Sequence, residues 1–558
     1  MLFRRLISID MMKKKLSFIL GSPFTCCLLL LGLLLPPLHT ECLQHPVFDG
    51  DEYPASLLNR SSFPPGFTFG TSSSAYQYEG ATFTDGRGLS NWDVFVREQP
   101  GGFVLSVVLR AEKILDHTTG DVAEEFYYRY KEDVKLMKEI GLDAFRFSIA
   151  WSRVLPRGKT GLGINKKGVD FYNGLIDELL LNGIEPQATL MHWDLPQYLE
   201  DEYGGFLSSK IVGDFRDYAD FCFQEFGDRV KNWITVNEPN SIADKGYVQG
   251  NNSPGRCSSY VGNCTDGNSA TEPYIVVHNI LLSHAAAANV YREKYKASQN
   301  GMVGITMSTR WYVPKYPTKA CKEAASRALD FGFAWMARPV VYGEYPESMK
   351  ALVGDRLPKF TEEQKQMLKG SVDFLGVNYY SAYYAEDASS STINPSYTTD
   401  SQVNITMHKN GIPIGQPTAC DWLYIYPEGM LEILVYVKEV YNVPVFLTEN
   451  GVADLSNNSL PLNDALDDEL RIKFHYLHLK YLLESVKAGV DVRGYSLWSF
   501  LDNFEWELGY TVRFGITFVD FQDNLKRYPK RSALWFRNFL QKQTATSATA
   551  TPLLYSSQ

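Results

Sequence analysis

The 558-residue sequence has no excess of basic residues and few charges overall. Lysine and arginine number 54 against 64 aspartates and glutamates, which gives a net charge of −10, and charged residues make up 21% of the chain. A chain without a basic stripe is a poor partner for nucleic acid. No Gly-rich phosphate turn follows the first predicted strand, which disfavours an open dinucleotide-binding sheet. Neither a cofactor nor a metal is therefore expected.

Long apolar runs are missing after residue 40, so no later segment is expected to span a bilayer. Before that point, three lysines at 13–15 precede an apolar stretch that Pro36 ends. A basic start followed by an apolar segment is typical of a secretory signal peptide. Residues 1–40 are therefore predicted to be a signal peptide and leader, which directs the chain into the secretory pathway.

Cysteine is also scarce, with eight in the chain. Cys257 and Cys264 bracket a short loop rich in Ser, Gly and Asn, and a disulfide there would close it in an oxidising compartment. Cys222, inside a helix-like stretch, is predicted to be a buried thiol. Residues 543–558 are rich in Ser, Thr and Ala and are predicted to be disordered. Possible N-glycosylation sites, of which some are expected to carry glycan, are Asn59, Asn251, Asn263, Asn404 and Asn457.

Strand-like and helix-like segments alternate from about residue 60 to 541. Eight strands with intervening helices favour parallel pairing, so the predicted fold is α/β, a single (β/α)8 TIM barrel with long βα-loop insertions over 60–541. A doubly wound open sheet is the alternative. The predicted strands are 67–71, 144–150, 186–192, 233–236, 303–307, 374–379, 444–447 and 492–497, and the predicted helices are 125–140, 166–182, 214–226, 272–296, 428–441 and 469–488.

Two glutamates stand where apolar runs stop. Glu238 follows the run 233–236 and precedes Pro239, and Glu449 follows the run 445–447. A glutamate after one strand is usually a solvated loop residue, but in a barrel both would lie at the face that carries the chemistry. Paired carboxylates on one pocket are what cleavage of a glycosidic bond requires.

Other strand ends carry polar or aromatic groups suited to a sugar, in the segments 74–80, 192–194, 378–380 and 498–506. Together with Asn-Glu-Pro at 237–239 and Thr-Glu-Asn-Gly at 448–451, these segments resemble glycoside hydrolase family 1, and specifically plant β-glucosidases, over essentially residues 60–540. The resemblance implies a retaining double displacement, with Glu238 as general acid/base and Glu449 as nucleophile.

The same resemblance implies roles for further residues. The glucose hydroxyls would be held by Gln77, His192, Asn237, Glu505 and Trp506, and Trp498 would lie beneath the sugar ring. Tyr380 and Arg146 would bond to and orient Glu449, and Asn378 would support it. Trp422 would contact the leaving group.

Retention requires carboxyl groups about 5–5.5 Å apart. Two like charges at that distance repel by about 3 kcal/mol at an effective dielectric constant of about 20. This repulsion is expected to hold a proton on Glu238, while Arg146 keeps Glu449 ionised. The intact Glu238 favours an O-glucosidase over the similar thioglucosidases, which carry Gln there, and Glu505 disfavours 6-phosphorylated sugars.

The expected substrates are small-molecule β-glucosides with apolar (aryl or alkyl) aglycones, whose choice depends on loops around Trp422 and 319–327. A transglucosidase with the same intermediate, or a catalytically impaired sugar-binding protein, are the alternatives. The expected destination is the cell wall or the vacuole. The Val/Leu-rich stretch 101–110 has no counterpart in the family pattern, and the hypothesis for it is a retained intron or a gene-model error.

Overall fold

The computed structural model describes residues 53–54, 57–97, 113–388 and 394–541. The predicted signal peptide (1–40), the apolar insert (101–110) and the predicted disordered tail (543–558) lie outside these residues. Within the described ranges, no helix is both long and apolar enough to cross a membrane.

Eight parallel strands close into a barrel, which confirms the predicted fold. Each strand pairs with the next in chain order from β1 to β8, and the pairing of β8 with β1 closes the ring. The strands are β1 Thr68–Ser72, β2 Ala144–Ser148, β3 Glu185–Met191, β4 Asn232–Asn237, β5 Met302–Pro314, β6 Phe374–Asp387, β7 Val445–Glu449 and β8 Val492–Leu497.

Strands β5 and β6 run well beyond their predicted ends. They continue to pair with each other from Arg310 opposite Ser381 to Pro314 opposite Ala385. The extension begins with polar residues, Ser308 to Arg310 on β5 and Ser381 on β6, which interrupt the apolar runs by which the barrel strands are recognised. It carries Arg310 and Ser381 to the rim of the barrel.

Helices surround the barrel and bury one face each against it. Helix α3, for example, buries Ile211, Phe215, Tyr218, Cys222 and Phe226, a spacing that places all five on one side. Cys222 is thus a buried free thiol, as predicted. The helices are α1 Phe126–Ile140, α2 Lys166–Leu181, α3 Ile211–Phe226, α4 Glu272–Val290, α5 Trp335–Tyr342, α6 Glu428–Val440, α7 Glu469–Lys487 and α8 Arg531–Leu540.

Shorter elements fill the loops between these strands and helices. Additional helices are Ala75–Tyr78, Asn91–Arg97, Trp151–Val154, Gln197–Tyr203, Pro239–Asp244, Lys296–Gln299, Lys319–Leu329, Glu347–Val353, Glu362–Leu368, Tyr397–Asp400 and Leu462–Leu466. Additional strands are Val403–Thr406, antiparallel to β6, and the antiparallel pairs His408–Lys409 with Ile412–Pro413, Gln416–Pro417 with Tyr424–Ile425, Asp454–Leu455 with Val512–Arg513, and Thr517–Asp520 with Lys526–Pro529.

The barrel interior is packed below the rim. Ile234, Phe374 and Phe446 form a cluster separate from the large core between strands and helices. Gly304 on β5 makes room for it, because a Cβ there would lie 2.5 Å from the Phe374 ring. A filled interior of this kind leaves only the rim for a ligand.

The loop after β4 is closed by the predicted disulfide between Cys257 and Cys264. Among the glycosylation candidates, Asn263, Asn404 and Asn457 are exposed. Asn59 is only 9% exposed, and its side-chain oxygen caps a short helical turn.

A buried charge cluster fixes the loop after β8. The Asp502 carboxylate accepts hydrogen bonds from Arg513 Nη1 at 2.7 Å and from Lys530 Nζ at 2.8 Å, and all three side chains are almost fully buried. The backbone N–H groups of Gly515 and Val519 donate to the same carboxylate. Burial acts to raise the pKa of Asp502, but the two cations lower it below its usual value. The cluster therefore ties the stretch that carries Trp498 and Trp506 to α8.

Replacement of Asp502 by Ala should lower the free energy of unfolding by about 3–5 kcal/mol, because two buried cations lose their partner. Denaturant titration of both proteins measures this loss. The difference should shrink as the pH falls below about 4, since a carboxylate with a depressed pKa loses its contribution as it protonates. Asp523→Ala removes an exposed partner of Lys526 and serves as the control, with a loss below about 1 kcal/mol. Equal losses for the two variants would contradict a stabilising role of the cluster.

Candidate active site

A cavity of about 400 Å³ opens at the carboxyl ends of the barrel strands. Glu238 and Glu449 both line it, although 211 residues separate them in sequence (449 − 238). Both are nearly buried, with 7% and 4% of their surface exposed. The other lining residues are His192, Trp193, Asn237, Ser241, Asp244, Lys245, Gln249, Asn251, Ser308, Thr309, Arg310, Tyr380, Ser381, Asp421, Trp422, Trp498, Glu505, Trp506, Glu507, Leu508 and Phe514.

Glu238 lies at the turn between β4 and the short helix Pro239–Asp244. Its φ is +49°, a left-handed conformation that costs a non-glycine residue about 1 kcal/mol or more. The turn is held because Glu238 N–H donates to Thr306 O at 2.8 Å and Pro239 begins the helix without needing a donor. Its Oε1 accepts a hydrogen bond from Asn378 Nδ2 at 2.8 Å.

Glu449 is the last residue of β7, and two donors hold its carboxylate. Arg146 Nη1 forms a buried ion pair with Oε1, and Tyr380 Oη donates to Oε2 at 2.9 Å. Arg146 is itself fully buried, and its Nε donates to Thr189 Oγ1 at 3.2 Å. The sequence places Arg146 on β2 and Tyr380 on β6, so strands from opposite parts of the ring converge on this one carboxylate.

The two glutamates are linked through Asn237. Its Oδ1 accepts from Arg146 Nη2 at 2.6 Å and from Asn378 Nδ2 at 3.2 Å. Asn378, expected to support Glu449, instead donates to Glu238, while its own oxygen accepts from Thr448 Oγ1 at 2.6 Å. The amide of Asn378 is oriented by these contacts, because its nitrogen faces two acceptors and its oxygen faces a hydroxyl donor.

Burial raises the pKa of Glu449 to about 7, and the charge of Glu238 acts in the same direction. Arg146 and Tyr380 oppose this rise without cancelling it. Arg146 favours the ionised form of Glu449, but the desolvation of this nearly buried carboxylate outweighs that effect.

Geometry distinguishes the two carboxyl groups when the pair holds a single proton. Both oxygens of Glu449 accept hydrogen bonds, so a proton there would disrupt the contact with Arg146 or with Tyr380. Of the two Glu238 carboxylate oxygens, by contrast, only Oε1 accepts a hydrogen bond from a group in the described part of the chain. The arrangement with the proton on Glu238 and the charge on Glu449 keeps all three bonds.

His192 and Asn237 form a second polar pair beside the glutamates. Because Asn237 Oδ1 accepts from Arg146 and Asn378, its Nδ2 points to His192 Nε2 at 2.9 Å. His192 Nε2 therefore acts as an acceptor, which requires the neutral ring. Burial, with a smaller effect of the Arg146 charge, holds the pKa of His192 well below its usual value, in agreement with this state.

Aromatic rings form the wall below and beside the cavity. The His192 ring stacks on Trp498 with centroids 5.9 Å apart and on Trp506 with centroids 6.1 Å apart. Trp193 packs on Trp506 at 4.5 Å and donates from Nε1 to the backbone oxygen of Asn237. Trp193 and Trp506 both have positive φ values, +75° and +52°, as Glu238 does. Left-handed residues concentrated at one cavity are typical of a functional site.

Gln77 and Glu505 form the remaining polar corner. Gln77 Nε2 donates to Asn503 Oδ1 and to Phe504 O, both at 2.9 Å, and contacts Glu505 Oε2 at 3.4 Å. Gln77 is fully buried and does not line the cavity, whereas Glu505 does. Gln77, expected to hold a sugar hydroxyl, thus stands behind Glu505 in this structure.

The outer part of the cavity differs from the expectation. Trp422 lines it as expected, but 319–327 does not, because Lys319–Leu329 forms a helix away from the cavity. Charged residues that sequence reasoning missed also line this part, among them Lys245, Arg310 and Glu507. Charged residues outside the recognisable motifs are common in any chain. Only the fold therefore shows that these three residues line the cavity.

One glycosylation candidate, Asn251, lies at this cavity. A glycan attached there would occupy part of the cavity. Across the described residues, no group of three or more His, Cys, Asp or Glu side chains is arranged to hold a metal ion.

Comparison with known proteins agrees with this geometry. The profile of Glycosyl hydrolase family 1 matches residues 59–545. Beta-glucosidase 17 of Arabidopsis thaliana is 58% identical over 88% of this chain and 93% of its own length, and furcatin hydrolase of Viburnum furcatum is 53% identical over 89% of each. A mutant rice β-glucosidase, solved in a covalent complex with glucose, superposes with a TM-score of 0.84 at 49% identity, covering 87% of this chain and 100% of that one. The chain therefore belongs to glycosyl hydrolase family 1 and is a glycoside hydrolase related to the plant β-glucosidases.

Proposed function

We propose that this protein is a retaining β-glucosidase that removes terminal β-D-glucosyl residues from small glucosides. The observation that carries the proposal is the unequal bonding of two carboxyl groups in one cavity. Glu449 accepts from Arg146 and Tyr380, which suits a charged nucleophile, and Glu238 keeps an oxygen for a proton. A covalent complex with glucose in the related rice protein supports a glycosyl-enzyme intermediate.

In the first step, a Glu449 oxygen attacks the anomeric carbon while the glycosidic bond breaks. Glu238 gives its proton to the departing oxygen, so the aglycone leaves as a neutral alcohol or phenol. The Tyr380 hydroxyl and the Arg146 guanidinium remain beside the Glu449 carboxyl group during the attack. Once the ester forms, the negative charge of Glu449 is gone.

In the second step, water attacks the anomeric carbon and Glu238 removes its proton. The loss of charge on Glu449 lets Glu238 stay ionised at this stage, so one residue serves first as acid and then as base. Cleavage of the ester returns the charge to Glu449 and the proton to Glu238. The two inversions together retain the β configuration.

The sugar would bind between the glutamates and the aromatic wall. Trp498 would lie under the ring, and His192, Asn237 and Glu505 would bond the hydroxyl groups, with Gln77 and Trp506 supporting Glu505. The aglycone would pack against Trp422, Trp193 and Phe514. These rings favour an aryl or alkyl aglycone.

We also propose that the chain follows the secretory pathway to the cell wall or the vacuole. The disulfide between Cys257 and Cys264 supports an oxidising compartment. Expression of the chain with a fluorescent tag after residue 541, with and without residues 1–40, tests this destination.

Glu449→Ala should abolish hydrolysis, because no group remains to attack the anomeric carbon. Added azide should restore turnover of an activated aryl glucoside and give the α-glucosyl azide, since one inversion replaces two. Proton NMR of the product measures its configuration. Recovery of the β-azide would mean that the roles of the two glutamates are reversed.

Glu238→Ala should slow cleavage of alkyl glucosides by about 10²–10⁴-fold, because these leaving groups need a proton. Cleavage of a 2,4-dinitrophenyl glucoside, whose aglycone leaves as a stable anion, should lose far less in its first step. A plot of log kcat/KM against the pKa of the leaving group measures the difference. Equal loss for all aglycones would exclude Glu238 as the acid.

The value of kcat/KM should follow a bell-shaped curve with pH. Its acid side should fall as the pH drops below about 7, because burial and the charge of Glu238 raise the pKa of Glu449 to about 7 and a protonated carboxyl group cannot attack. On its basic side, activity falls when Glu238 loses the proton that it gives to the aglycone. The 2,4-dinitrophenyl glucoside serves as a control and should lose much of the basic side. A flat profile would contradict the two-carboxylate mechanism.

A further inference from the structure

An ion pair joins two loops at the outer part of the cavity. Lys245 follows the helix that begins after Glu238, and Glu507 stands two positions after Glu505. Lys245 Nζ lies 2.6 Å from Glu507 Oε1, and Asn252 Nδ2 donates to Glu507 Oε2 at 3.1 Å. The side chains of Lys245 and Glu507 are only 26% and 20% exposed, so water weakens this pair less than it weakens a surface pair.

The ammonium group of Lys245 is also held over an aromatic ring. It lies 6.0 Å from the centroid of the Trp193 ring, which in turn packs on Trp506 at 4.5 Å. Trp506 immediately follows Glu505. Lys245 is therefore linked to the segment around Glu505 in two ways, by its ion pair with Glu507 and by the Trp193 ring that packs on Trp506.

Glu505 is a buried carboxylate with two acidic neighbours. The charged groups that act on it are Glu507 and Glu449, which repel its negative charge, and Lys245, which attracts it. Its contact with Gln77 Nε2 at 3.4 Å is long. Burial and the Glu507 charge raise the pKa of Glu505 to about 8, and Lys245 limits that rise.

We propose that Lys245 is a positioning residue that neutralises Glu507 and thereby favours the charged form of Glu505, which is the better acceptor for the hydroxyl groups of the sugar. The inference rests on the proposed function, because it takes Glu505 to be a sugar-binding group. Lys245 does not itself contact the reacting atoms. Its effect passes through Glu507, whose charge would otherwise stand uncompensated two residues from Glu505.

The test is Lys245→Met, which keeps the length of the side chain and removes the charge. KM for a 4-nitrophenyl glucoside should rise about tenfold, since a hydrogen bond to a charged group is worth about 1.5–3 kcal/mol, while kcat changes less than about twofold. The pH at which 1/KM reaches half its maximum should move upward. Lys245→Arg should restore most of the affinity.

Variants of Glu507 separate charge from simple attachment of the loops. Glu507→Gln removes the repelling charge and leaves the cation, so KM should stay within about twofold of the wild type. The double variant Lys245→Met/Glu507→Gln should bind better than Lys245→Met alone. If the pair only fastened the loops together, Glu507→Gln would raise KM as much as Lys245→Met, and the double variant would show no recovery.

Sugar analogues locate the effect on Glu505. The 4-deoxy and the 6-deoxy glucoside each lack one hydroxyl group of the sugar. For the analogue that lacks the hydroxyl group that donates to Glu505, Lys245→Met should no longer raise KM. Lys315→Met is the matched control, because Lys315 pairs with Glu386 at 2.7 Å outside the cavity and its loss should leave KM unchanged.

A KM penalty that is the same for glucoside and both deoxy analogues would overturn the inference, as would an unchanged KM in Lys245→Met. Failure of the proposed function would look different. The wild-type protein would then not turn over the 4-nitrophenyl glucoside at all, and the variants would not be compared.

Discussion

The buried contact of Arg146 with Glu449 is the interaction on which the cavity depends. A nearly buried carboxylate is costly, and burial is the largest of the effects that raise the pKa of Glu449 to about 7. Arg146 offsets part of this cost and has a second hydrogen bond to Asn237, which in turn orients His192 and Asn378. One guanidinium thus fixes both the Glu449 carboxylate and the Asn237 amide beside it.

The barrel makes that contact possible. Arg146 lies on β2 and Glu449 on β7, and only a closed ring of strands brings their side chains together inside it. The packed cluster of Ile234, Phe374 and Phe446 below them excludes water from the interior. Above them, the Asp502 cluster holds the stretch from Trp498 to Trp506 against α8. The rigid parts of the fold thus set the positions of the groups that line the cavity, some on strand ends and some on loops.

Much of this could be predicted from local patterns. Each barrel strand is a short apolar run, and Glu238 and Glu449 stand directly after two of them, so the face on which they meet follows from parallel pairing. The extension of β5 and β6 was harder to recognise, because Ser308 to Arg310 and Ser381 interrupt the apolar runs of the two strands. Asn378 illustrates another limit: its place on β6 predicts that it lies near the cavity, but its donation to Glu238 is set by the packing of the folded chain.

By itself, the sequence determined the strand and helix pattern, the two carboxylates of the cavity and the aromatic residues around them, because these depend on residue type and short spacing. Only the tertiary structure decided that Asn378 donates to Glu238, that Gln77 stands behind Glu505, and that Lys245 meets Glu507 across 262 positions. Hydrogen bonds and ion pairs act over a few ångströms between residues far apart in the chain. Their partners are therefore set by packing, which no local pattern records.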